Sequence, residues 1–230
     1  MTDHRRTLEP EADLSGADLR DRTLTGAPLR GADLGGADLR DATLGDVDLR
    51  GADLTDADLR KVTCAGFCSD ATFAGADLTD ADFSRAGLSG TDFEGATLQR
   101  CAVRDTDLTN ARLVGVDGTE LDATRATLRD ATFVDATLDR GTFDRASAVY
   151  AVFVDASLRE ASLREADLLA VTLDGADCTR ASVVDADLSE ALVGDADLTH
   201  ADFSGSTLTG AEFDEATLRG TTLPPDADPR

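Results

Sequence analysis

Two histidines, four cysteines and 46 acidic side chains are the groups with chemistry to offer in this chain of 230 residues. A hydrolytic centre needs Ser, His and Asp brought together, and an acid–base pair needs two carboxylates set apart from the rest. Neither pattern stands out: His4 falls in the N-terminal stretch, His200 falls at a turn position, and the acids recur as one polar position of a repeating pattern. No glycine loop of the phosphate-cradling kind occurs. Cys64 and Cys68 lack the two-residue gap of zinc sites and have no histidine nearby in sequence, while Cys101 and Cys178 stand where small core hydrophobes belong. The expectation is a protein that is not an enzyme and carries no metal and no cofactor.

Charge narrows the partners. The 46 acidic and 22 basic residues leave a net charge of -24, and Lys61 is the sole lysine, so nucleic acid and anionic membranes are disfavoured. A charged partner should be basic. No apolar stretch has signal-peptide length or approaches the run of about 20 residues that crosses a bilayer. Four irregularly spaced cysteines are too few for a disulfide scaffold. A soluble, cytoplasmic protein is expected.

The element that must carry these charges has a period of five: Leu14, Leu19, Leu24, Leu29 and Leu34 begin a series that runs to Leu59, with Ala usually two residues earlier. After Cys64 the phase slips once, and the series resumes at Phe73 and runs to Leu223. Every fifth residue of a helix would wind around all its sides, and a plain strand repeats every second residue. Within one repeat, however, the Ala and the Leu lie two apart. In an extended segment they share one side, the Asp or Thr between them points the other way, and the Gly, Ser, Asp and Thr that follow suit a turn. Each repeat is a short strand plus a corner, and successive corners close the chain into a solenoid.

Phenylalanine spacing gives the number of sides. Phe73, Phe83 and Phe93, then Phe133, Phe143 and Phe153, then Phe203 and Phe213 fall in steps of ten. Three-sided coils would spread them over every side. Four-sided coils confine them to two opposite columns, leaving the other two to Leu. Two of every five residues then face inward, which accounts for nearly all of the 41% hydrophobic content.

The tandem units ADLSG, ADLRD, ADLGG, ADLTD, ADFSR and ADLSE resemble the pentapeptide-repeat proteins over residues 12 to 223. That resemblance implies an all-β fold, a right-handed quadrilateral parallel β-helix of about ten coils. It also implies a class of function. Members that confer quinolone resistance, or immunity to topoisomerase poisons, are dimeric acidic rods similar in surface to duplex DNA that bind DNA gyrase. Some carry long loops and commonly dimerise through a C-terminal helix. This sequence has no insertion of that length, and only PPDADPR follows Leu223. Three segments are expected: a flexible leader at 1–11, one β-helix at 12–223 with an irregularity near 64–73, and a short tail at 224–230.

At about 4.8 Å per coil such a rod is roughly 50 Å long. Its net charge then falls about once per 2 Å, against once per roughly 1.7 Å in duplex DNA. The charge is uneven. Residues 1–61 carry 14 acids and 9 bases, whereas Glu165 to Asp228 holds 15 acids and only Arg180 and Arg219 as bases. Near the N-terminus Asp18, Asp38 and Asp58 stand beside Arg20, Arg40 and Arg60 and should be mutually compensating surface. The candidate residues for a cationic protein partner are therefore Glu165, Asp167, Asp177, Asp185, Asp187, Glu190, Asp195, Asp197, Asp202 and Glu215. Two readings stand: a DNA-like rod that occupies a DNA-binding protein, gyrase or another type II topoisomerase, and a structural or interaction scaffold whose acidity serves solubility or high salt.

Three irregularities break the pattern. The segment KVTCAGFCSDATF holds either a one-residue deletion or a four-residue bulge, with Phe67 expected to cover exposed core. Gly118 and Ala123 take the large inward position, where Val116 and Leu121 two residues earlier should fill the space, unless Gly115 to Thr124 loops outward. Last, apolar residues occupy polar positions: Val114, Val134 and Val154 at intervals of 20, with Val152 and Leu192 nearby and Val149, Tyr150 and Leu169 around the preceding corner. They are expected to form a lateral homodimer patch.

Overall fold

A computed structural model describes residues 8–225 and residue 227; the first seven residues of the expected leader, His4 among them, and most of the tail lie outside the described residues. The chain winds into a four-sided parallel β-helix. Its only strands longer than one residue among those described are β1 (Thr43–Leu44) and β2 (Thr63–Cys64), paired in parallel. Elsewhere each side contributes a single bridge, as from Asp13 to Asp33 and from Asp18 to Asp38, 20 residues on. Sides are numbered here in chain order from the bridges at Asp13, Asp18, Thr23 and Pro28.

Each side ties its coil to both neighbours. The Asp33 N–H donates back to Ala12 O at 2.9 Å, and the Leu34 N–H donates forward to Asp53 O at 2.7 Å. This satisfies the backbone without long strands. At the corners the second residue adopts a left-handed conformation, as in Asp70 (φ 58°), Tyr150 (φ 59°) and Ala170 (φ 52°). Tyr and Ala rarely sit there alone, so the stacked coils, not local preference, hold them. The outward Asp has a structural task as well. Its Oδ1 accepts the backbone N–H two residues on, at 2.9 Å for Gly35 to Asp33 and for Thr55 to Asp53, which caps the turn.

The interior is a continuous column of Ala, Leu and Phe. Phe73, Phe93, Phe133, Phe153 and Phe213 line the first side, and Phe83, Phe143 and Phe203 line the opposite third side, in the two columns expected from their spacing. Neighbouring rings on one side stack: Phe73 on Phe93 at 4.9 Å and Phe133 on Phe153 at 4.6 Å. Rings on opposite sides meet edge to face, Phe73 with Phe83 at 5.8 Å. The polar inward residues are satisfied within the core, Thr91 Oγ1 donating to Leu88 O at 2.6 Å and Thr106 Oγ1 to Phe83 O at 3.1 Å.

The irregularity after Cys64 is a deletion of one residue. Asp48 pairs with Phe67 and Thr63 with Asp82, 19 residues apart instead of 20, and no loop is pushed out. The corner shrinks to Ala65, and Gly66 lies so close to the coil below that a methyl group on it would meet Val47 O at 2.3 Å. Phe67 does not cover core. It takes the outward position of the fourth side, 59% exposed, with the Arg50 guanidinium 5.8 Å from its ring centre. At Gly118 and Ala123 the register holds, Val116 and Leu121 are buried, and a void of only about 10 Å³ remains beside Leu121 and Ala123.

Candidate partner-binding surface

Because a coil takes 20 residues, any side chain stands one rise, about 4.8 Å, from its counterpart 20 positions on. Opposite charges at that interval meet. On the second–third corner Asp80 pairs with Arg100 at 2.6 Å, Glu120 with Arg140 at 3.1 Å and Glu160 with Arg180 at 3.8 Å, one column of alternating sign. The second side does the same near the N-terminus. Arg20 Nη2 bonds Asp18 at 2.6 Å and its Nε reaches Asp38 at 3.5 Å, and Arg40 repeats this with Asp38 at 2.6 Å and Asp58 at 3.4 Å. The Arg20 guanidinium holds the Asp18 carboxyl down at about 2. Exposed pairs of this kind add little stability; their effect is to cancel charge along one edge.

The ten acids singled out in the C-terminal half are not equivalent. Two are neutralised: Glu165 takes both Nε and Nη2 of Arg145 at 2.9 and 3.0 Å, and Asp177 accepts Arg159 Nε at 2.6 Å. The other eight make no ion pair among the described residues. Asp167 and Asp187 bridge on the fourth side, and Asp177 bridges to Asp197 on the second. Asp185 joins Glu165 on the third–fourth corner, Glu190 stands on the fourth–first corner, Asp195 and Glu215 share the first–second corner, and Asp202 lies on the third side. Hydroxyl and backbone bonds from Ser204 hold the Asp202 carboxyl below its ordinary range.

Two groups escaped the sequence reading. Asp174, Glu212 and Asp214 on the first side also make no ion pair among the described residues, and with Asp195 and Glu215 they surround a hollow of about 280 Å³ beside Leu192 and Gly194. The alternating column on the second–third corner was the other. Its signal lies in the sequence as Asp80, Arg100, Glu120, Arg140, Glu160 and Arg180, at intervals of 20, but it emerges only when the residues are laid out by coil. Among the described residues of the C-terminal coils, uncompensated acid therefore stands on all four sides and on the other three corners, and the second–third corner alone is free of it.

The apolar residues share that flank. Val114, Val134, Val152 and Val154 are half-buried on the first side with Leu192, 40% exposed; Leu169 and Tyr150, 52% exposed, lie at the adjoining corner. Val149 does not join them, because it is buried. Arg129 lies 6.0 Å over the Tyr150 ring. His200 stands at the end of the neutral corner column, beside Gly220. No group of three or more His, Cys, Asp or Glu able to hold a metal ion occurs among the described residues, and no helix there is long and apolar enough to cross a membrane. The surface offers what recognises cations: fixed carboxylates in rows, beside a shallow apolar strip.

The profile described as "Pentapeptide repeats" matches the sequence in 8 copies, over residues 12–44, 27–63, 68–105, 104–140, 151–190 and 186–223. Among solved structures, the chain is similar to HetL, a pentapeptide repeat protein involved in heterocyst differentiation regulation from the cyanobacterium Nostoc sp. strain PCC 7120. The two are 30% identical, with 98% of this chain and 94% of HetL covered and a TM-score of 0.65. It is also similar to QnrB1, a plasmid-mediated fluoroquinolone resistance protein, at 20% identity over 79% of this chain and 91% of QnrB1 with a TM-score of 0.61, a likeness of fold. No curated protein matches the sequence.

Proposed function

Since the chain belongs to the pentapeptide-repeat family, whose fold is a right-handed quadrilateral β-helix, we propose that it is an acidic rod that occupies the DNA-binding surface of a basic protein in the cytoplasm. DNA gyrase or another type II topoisomerase is the partner this reading names, to be modulated or protected from inhibitors. One observation carries it: the charge is sorted. Arginines cancel the acids along the second–third corner from Asp80 to Arg180, while Asp167, Asp185, Asp187, Glu190, Asp195, Asp197, Asp202 and Glu215 make no ion pair among the described residues. Acid serving solubility alone needs no such sorting. Binding would draw on ion pairs and counterion release and weaken steeply with salt.

The same reading assigns self-association to the first side, through Val114, Val134, Val152, Val154 and Leu192 with Leu169 and Tyr150 at its edge. Because carboxylates such as Asp135, Asp155 and Asp195 flank this strip, pairing two copies should gain from added salt, opposite in sign to partner binding.

Supercoiling by gyrase, with and without a quinolone and at low and high salt, tests the proposal. A concentration-dependent change at low salt that fades at high salt is expected. No effect at any concentration in low salt would remove gyrase as the partner. That result would favour a second reading supported by the likeness to HetL: an interaction scaffold in a regulatory process with a different protein partner.

A further inference from the structure

The shortened coil brings two thiols together. Cys64, on the third side, and Cys68, on the fourth, both point into the core, and their Sγ atoms lie 3.7 Å apart across the corner that has lost a residue. Elsewhere inward neighbours on adjacent sides are five apart in sequence and most are Leu or Phe; here they are four apart and both are Cys. Cys101 and Cys178 stand alone in the core, and burial pushes the Cys178 thiol up to about 12. Cys64 is driven the other way, because the Cys68 thiol and the Gly66 N–H both donate to its sulfur, and Cys68 rises in consequence.

The same corner is where the backbone ladder is broken. Along this edge the second corner residue normally donates to the coil above, Gly26 to Gly45 O at 2.8 Å and Arg85 to Arg104 O at 2.9 Å. Asp46, which stands directly below the deletion, has no such bond to Ala65. The Val47 N–H also lacks the turn bond to Leu44 O that Ala27 makes to Leu24 O at 3.0 Å, as do Val116 and Ala196 at their corners, so it is the missing ladder bond of Asp46 that sets this corner apart. A stretch with fewer backbone bonds opens more readily than its surroundings. The thiols are therefore buried beneath the corner best able to admit a small reagent, with only exposed Ala65 at its apex.

We propose that Cys64 and Cys68 are a site of reversible oxidation that forms an intrachain disulfide at the expense of a small-molecule disulfide. The Cys64 thiolate attacks one sulfur of the reagent and expels its first thiolate. Cys68 then loses its proton and attacks the Cys64 sulfur of the mixed disulfide, expelling the second. The two cysteines lose two hydrogens in all, and the reagent is reduced to two thiols. The new bond spans the corner where the ladder is interrupted, so the oxidised protein should be harder to unfold.

Glutathione disulfide, applied to the folded full-length chain well below its unfolding temperature, provides the test. After denaturation, alkylation and trypsin, the peptide from residue 62 to 85 contains both cysteines and no internal Lys or Arg. It is expected to be lighter by two hydrogens and free of alkyl groups, with Cys101 and Cys178 alkylated and dithiothreitol reversing the change. A doubly alkylated peptide would overturn the proposal. In Cys68→Ala the resolving thiol is gone, and glutathione should accumulate on Cys64; a fully alkylated Cys64 in that variant would overturn it equally. Neither outcome depends on the identity of any protein partner.

Discussion

Phe133 and Phe153 lie face to face one coil apart, their ring centres 4.6 Å from each other and their planes within 2° of parallel. Phe143, from the opposite side, sets its edge against Phe153 at 6.2 Å. The three rings form one cluster, Phe133 also meeting Phe143 edge to face at 6.3 Å. Replacing Phe153 by Ala removes contacts on both sides of the ring, with an expected loss of about 3–5 kcal/mol in urea unfolding. Phe213, near the last coil and incompletely covered, should lose less on the same substitution.

Gly66→Ala tests the short corner. The added methyl has no room against Val47 O, 2.3 Å away, or Val47 Cγ1, 2.6 Å away. Backbone must move, and a loss of roughly 2–3 kcal/mol is expected by thermal or chemical denaturation. Gly95→Ala is a suitable contrast. Its φ is positive but nothing lies within 4 Å of the new methyl, so the loss should stay near 1 kcal/mol.

The carboxylates of the outward column have two tasks, which an amide separates. Asp187 and Asp197 accept the N–H groups of Ser189 and Thr199, each at 2.9 Å. Asn keeps that acceptor and removes the charge. Asp187→Asn with Asp197→Asn should leave the melting temperature nearly unchanged, weaken binding to the basic partner several-fold and flatten its salt dependence. The same exchange at Asp38 and Asp58, already matched by Arg40 and Arg60, should leave partner binding almost intact.

Acid should weaken the N-terminal coils through two of their carboxylates. The Arg20 and Arg50 guanidinium groups, by hydrogen bonding, hold Asp18 and Asp48 down at about 2 against an ordinary value of 3.8. Between those values the unfolded chain binds more protons than the folded one. Their stabilising contribution is therefore complete above pH 4 or so and is lost as pH falls through about 2. Carboxyl carbon shifts measured by NMR should place the Asp48 midpoint near 2, and Arg50→Ala should return it toward 3.8.

Val134→Asp combined with Val154→Asp adds two charges to the apolar strip without entering the core, since both side chains are half-buried on the first side. If that strip joins two copies, the variant should have monomer mass by light scattering at a salt concentration where the parent is a dimer. An unchanged mass would rule out this face as the interface.

Much of the fold was legible because period five survives in almost every unit and the large aromatics sort themselves by tens. Reading the slip near Cys64 was harder. Sequence spacing counts residues and does not say which corner loses one, so a deletion and a bulge look alike until Asp48 is seen opposite Phe67. Phe67 was misjudged for a related reason: with the corner shortened, it falls at an outward position, not an inward one. Val149 misled because corner residues differ in how far the coils around them cover their side chains. The acidic surface was legible as composition but not as arrangement. Glu165 and Asp177 find arginines 20 and 18 residues away, and no local reading of sequence pairs residues so distant.

The one short coil also bears on how such a rod lengthens or shrinks. Blocks of 20 residues taken wholly before or wholly after Gly66 return every side chain to its own column, so they can be duplicated or excised as interchangeable cassettes. A cut whose two ends straddle that glycine keeps the register only if it removes one residue fewer, as the pairing of Asp48 with Phe67, 19 positions on, requires. The deletion is thus a fixed reference mark in an otherwise uniform ruler, against which gain or loss of whole coils can be measured among descendants of a common rod.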